Sequence, residues 1–159
     1  MDLGTTIIGS VSVAICAMPF VITNRSKKKK VKQLLISLKD LAAAHSSEIT
    51  EHDIFKYYAI GIDATKNSVS FILKTEDDEQ SYFINLSSIK KCEIVKVGSS
   101  GAHSDKDIDK LDLKLTSVEK NKPDIMLEFY NAEVSYQLSE ELQSIEKWNK
   151  IINNLLNSK

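Results

Sequence analysis

Three histidines (His45, His52, His103), two cysteines (Cys16, Cys92) and an alternating acidic triplet (Asp105, Asp107, Asp109) are the residues whose types could make bonds or hold a metal. Nucleophilic catalysis requires a base beside a Ser or Cys, and no Gly-x-Ser-x-Gly elbow or equivalent spacing accompanies any histidine. His45 falls on an apolar helical stripe, His52 precedes the strands, and His103 lies in a Gly/Ser loop, so each reads as a surface or half-buried residue. The aspartates alternate like the start of a calcium loop. Lys110 stands where that loop needs Gly for its tight turn, however, and Thr116 where it needs a bidentate Glu, so the triplet reads as a solvated loop. Lys90 and Lys91 flank Cys92 but would lie on either side of a strand, which makes Cys92 a small structural residue rather than an activated thiol. With no Gly-rich phosphate loop and no Cys/His metal spacing, no catalytic residue, cofactor or metal and no enzymatic activity are expected.

Charge is more informative. Leu3 to Asn24 carries no charged residue, and Arg25, Lys27, Lys28, Lys29, Lys30 and Lys32 follow at once. A hydrocarbon core of ~30 Å needs roughly 20 apolar residues in a helix, and the hydroxyls within the run can bond to their own helix carbonyls. Cations after the apolar run, rather than before it, argue against a cleaved signal peptide. The sequence therefore predicts a transmembrane anchor over residues 1–24. Its N-terminus would be outside, with the C-terminal part in the cytoplasm beneath a bacterial inner membrane. The six cations become contacts to anionic headgroups.

The chain holds 21 basic and 22 acidic residues; setting aside the six cations and Asp2 leaves 15 and 21 in residues 33–159, a balance of about −6. An acidic body with a single arginine in the whole chain is repelled by nucleic acid and is not expected to bind it. Two cysteines, one in the apolar run, make no disulfide framework, which fits a reducing compartment.

These charges must be positioned by elements legible from periodicity. Val31, Leu34, Leu35, Leu38, Leu41, Ala42 and His45 recur at helical spacing, predicting an amphipathic helix within residues 25–47 that ends at Ser46-Ser47. Residues 48–159 form the remaining domain. Its period changes to two, predicting strands at Tyr57–Asp63, Ser68–Lys74, Ser81–Leu86, Ile89–Val97, Leu111–Val118, Ile125–Tyr130 and Glu133–Leu138, each with one buried and one wet face. Thr75 to Gln80 is an acidic hairpin tip. Ser139 is expected to cap a last helix, with Leu142, Ile145, Trp148, Ile152 and Leu155 on its apolar stripe.

Seven antiparallel strands divided four and three, then one helix with an inward tryptophan, resemble the pleckstrin-homology-like barrel over about residues 57 to 157. The resemblance implies an α+β chain: a transmembrane helix, an amphipathic linker helix, then a seven-stranded antiparallel barrel capped by its C-terminal helix. The phrases Ile60-Gly61-Ile62-Asp63 and Ile84-Asn85-Leu86-Ser87-Ser88-Ile89-Lys90-Lys91-Cys92 are also similar to single-span membrane proteins of Bacteroidetes, a likeness that carries over no activity. Lipid-binding members of the pleckstrin-like class cluster Lys and Arg in the first hairpin loop. Read here as Asp63-Ala64-Thr65-Lys66-Asn67, that loop has one cation and one acid, so inositol-phosphate binding is not implied. The expected function is a membrane-tethered cytoplasmic interaction or scaffolding module with a protein partner, which docks on a groove or strand edge. A lipid- or small-molecule-binding sensor is the alternative.

Overall fold

The computed structural model describes residues 26–98, 108–135 and 137–158. Helix α1 spans 26–44. It stops where Ser46 turns left-handed (φ 55°) and the amides of His45, Ser46 and Ser47 fold back onto the carbonyls of Ala42 and Ala43. Seven strands follow: β1 (Glu51–Ile54), β2 (Tyr58–Asp63), β3 (Ser68–Lys74), β4 (Glu79–Asn85), β5 (Ile89–Gly98), β6 (Ile108–Ser117) and β7 (Ile125–Asn131), then helix α2 (Glu141–Asn157).

The strands do not close into the single seven-stranded barrel expected from sequence. They form two antiparallel sheets, ordered β1-β2-β3-β4 and β5-β6-β7. The break has a local cause. Asn85 accepts the Ser87 amide on its side chain and starts a 3-10 turn over Leu86–Ser88, which takes the chain off the β4 edge before β5 begins. Between the sheets lies one core, in which Phe129 of β7 meets Tyr58 and Phe71 of the first sheet at ring distances of 4.7 and 5.8 Å. Helix α2 seals it with Ile145, Trp148 and Ile152, all fully buried.

Two strand assignments change. β1 was not anticipated, and the expected strand Glu133–Leu138 is absent among its described residues. Asn131 turns that segment instead: its carbonyl accepts the amides of Val134 and Ser135, and its side chain accepts that of Glu133. Ser139 does not cap α2; its amide and hydroxyl both donate to the Glu141 carboxylate, at 2.8 and 3.2 Å.

The first sheet is covered on both faces, so every residue of β2 is buried. Tyr58, Ile60 and Ile62 enter the main core, whereas Ala59 and Ile72 pack against Leu34 and Leu38 of α1. Gly61 makes the second packing possible. A Cβ there would lie 3.0 Å from two Ile49 carbons and 3.1 Å from Leu38 Cδ2, so helix and sheet meet where a side chain is missing.

The membrane placement is corrected as well. Among the described residues no helix is long and apolar enough to cross a membrane. Helix α1 carries six lysines and Asp40, too polar a sequence for a span. The expected anchor over residues 1–24 lies outside the described residues, and the single-pass inner-membrane location is not supported.

Candidate functional site

The residues singled out for chemistry do not converge. His45, at the end of α1, stacks on Phe83 of β4 with ring centroids 3.9 Å apart and planes 8° from parallel. His52 is exposed on β1, while His103, Asp105 and Asp107 lie outside the described residues and Asp109 sits in β6. Among the described residues no group of His, Cys, Asp or Glu could hold a metal ion. Cys92 is buried beneath α2, and burial, with help from the Glu93 charge, pushes its thiol up to about 12, a value that suits packing rather than nucleophilic attack. Lys27, Lys28, Lys29, Lys30 and Lys32 are exposed on α1, and Arg25 lies outside the described residues.

The arrangement with the clearest binding geometry is the outer edge of β4, which is hydrogen-bonded only to β3. The ladder fixes which backbone groups look outward. Two bonds frame it: the Thr75 amide donates to the Asp78 carbonyl at 2.8 Å, and the Leu86 amide to the Asn67 carbonyl at 2.8 Å. Antiparallel alternation then directs the backbone of Gln80, Tyr82 and Ile84 to β3, and that of Glu79, Ser81, Phe83 and Asn85 to the open side. The Asn85 carbonyl is occupied by the Ser88 hydroxyl at 2.7 Å, which leaves Glu79 to Phe83 as the presented edge.

Side chains on both faces of this edge are aromatic. Tyr82 packs into the main core beside Phe71 at a ring distance of 6.4 Å, and Phe83 lies on the opposite face against His45. Both are half-buried. At one end stands the acidic tip Glu76, Asp77, Asp78 and Glu79, where Lys74 pairs with Glu79 at 2.6 Å and Gln80 donates to Asp78 at 2.8 Å. Glu76 and Asp77 make no ion pair among the described residues.

From sequence, Thr75 to Gln80 reads only as an acidic hairpin tip, and the open β4 edge beside it is not anticipated. One signal was available: adjacent aromatics at 82 and 83 put apolar rings on both faces of a strand, which a strand with one wet face does not do. The other exposed-edge strand of this sheet, β1, is short and engaged by α2. Lys147 bridges Glu51 at 3.1 Å and Asp53 at 3.0 Å, and those acids raise its pKa against the opposing effect of burial.

No family model, curated protein or solved structure matches this chain.

Proposed function

We propose that this chain is a protein-interaction module that holds an extended segment of a partner as an added strand along β4. The observation that supports the reading best is the run of outward-facing backbone groups from Glu79 to Phe83 on a strand bonded on one side only. Main-chain pairing supplies affinity in this mode, and pockets for alternate side chains supply selectivity. Tyr82 and Phe83 offer apolar contact on either face, and the acidic tip selects a partner with Lys or Arg at the end lying beside Glu76 and Asp77. The occupant is thus a basic-flanked, alternating apolar peptide segment.

The experiment is selection of a displayed peptide library on the full-length chain and on Ser81→Pro. Proline removes the outward donor at 81 while the ladder to β3 uses residues 80, 82 and 84, and edge strands tolerate it there. The expected result is enrichment of extended basic-apolar peptides that Ser81→Pro no longer retains. Enrichment unaffected by Ser81→Pro, or none above background, would contradict the proposal.

A further inference from the structure

A second cleft lies where three elements meet: the first turns of α1, the β1–β2 turn and the start of the β3–β4 hairpin. It has a volume of about 240 Å³, and each element brings one lysine to it, Lys30, Lys56 and Lys74 respectively. Leu34 and Tyr57 also line it, and Glu76 is the one acid among the lining residues. Lys74 is paired with Glu79, so Lys30 and Lys56 are the cations of this lining that hold no ion pair among the described residues. We infer that this cleft is a binding site for a small phosphate-bearing ligand, with Lys30 and Lys56 as its principal charge contacts.

Three observations carry the inference. The first is available charge: among the described residues neither Lys30 nor Lys56 has a carboxylate within ion-pairing distance, and Lys56 Nζ instead rests 4.6 Å from the centre of the Tyr57 ring. Lys74 is already neutralised by Glu79.

The second is fixed geometry. Leu34 is 3% exposed in the contact between α1 and the sheet, and the Lys74 amide donates to the Tyr57 carbonyl at 2.7 Å. The helix, the turn and the hairpin are therefore held in place before any ligand arrives, which lowers the cost of binding.

The third is size and surface. The volume exceeds the ~150 Å³ of a cavity that takes benzene and falls below the roughly 300–1,000 Å³ of drug-sized pockets. The half-buried Tyr57 can cover an apolar or ring moiety while the lysines, compact point charges, take the phosphate. Glu76, the one acid in the lining, disfavours more highly charged polyanions.

The same chemistry could arrive as a free phosphate monoester or as a lipid phosphate headgroup, and the test separates them. Phenyl phosphate is titrated into the full-length chain at constant ionic strength, in parallel with phosphatidylcholine vesicles doped with phosphatidic acid. Both titrations are repeated on Lys30→Gln/Lys56→Gln and on the control pair Lys91→Gln/Lys122→Gln, with thermal melts confirming that all three fold.

The expected result is saturable binding by one or both probes that weakens roughly tenfold or more in the first pair and is unchanged in the control. Binding of phenyl phosphate assigns the site to free phosphate esters, and binding of vesicles alone assigns it to a headgroup. Either supports the site. Absence of saturable binding by both probes, or binding that weakens no more in the first pair than in the control, overturns it.

Discussion

The indole Nε1–H of Trp148 donates to Oδ2 of Asp53 at 2.8 Å, joining the middle of α2 to β1 across 95 residues of chain. Trp148 is completely buried, and its one polar atom therefore needs a partner. Asp53 supplies it at the strand that opens the first sheet, and Lys147 binds the same carboxylate at 3.0 Å. The helix that seals the core thus also fixes the least apolar strand of the fold.

Trp148→Ala is expected to cost ~3–5 kcal/mol, the usual price of deleting a large buried aromatic. Trp148→Phe keeps most of the contact but leaves Asp53 without the indole donor, so it should cost clearly less. Chemical denaturation measures both. Equal stability of Trp148→Ala and the parent chain would show that α2 contributes little to the core.

Asp63 gives the fold an acid-sensitive joint. Its carboxylate accepts from the Glu48 amide (2.9 Å), the Lys66 amide (3.0 Å), the Ser47 hydroxyl (2.8 Å) and the Thr65 amide (2.9 Å). These bonds, the Glu48 amide foremost, hold its pKa down at about 2 although burial pushes the other way. A carboxyl depressed in the folded state stabilises fully above its ordinary range and loses that contribution as the pH falls from about 4 towards 2. Denaturation midpoints should therefore drop across that window in the parent chain and drop less in Asp63→Asn, which has no charge to lose.

Gly61 sets how closely α1 approaches the first sheet. Gly61→Ala must displace Ile49 or Leu38 by a few tenths of an ångström and is expected to destabilise by ~1–3 kcal/mol, with Gly61→Val worse. If α1 docks as described, the loss should appear together with faster amide exchange in residues 34–42. Unchanged exchange there would mean that the helix is not held by this contact.

The elements that alternate strongly were legible. The stripe carrying Leu34, Leu38 and Ala42 and the stripe carrying Trp148 both fold as helices, because burial of one apolar face decides them, whereas Val31 stays exposed and His45 falls in the turn after α1. β1 was not legible: Glu51-His52-Asp53-Ile54 has no apolar alternation and is a strand because β2 offers it an edge in register, Ile54 opposite Ala59. The reverse error occurred at Glu133–Leu138, where alternation exists but, among the described residues, no strand pairs with the segment, and Asn131 imposes a turn. Sheet closure was misread for a related reason, since the pattern of β4 and β5 says nothing about whether they pair, and the 3-10 turn between them settles it. The candidate site had the same character. Which backbone groups of β4 face outward depends on its register with β3, and register is a property of the folded pair.

Uptake of an added strand by β4 can be read residue by residue from amide exchange of the full-length chain with a selected peptide. New protection is expected at Ser81 and Phe83, whose amides face the open edge, with Gln80, Tyr82 and Ile84 unchanged because their amides already pair with β3. Protection confined to other strands, or none at Ser81 and Phe83 in a saturated complex, would contradict it.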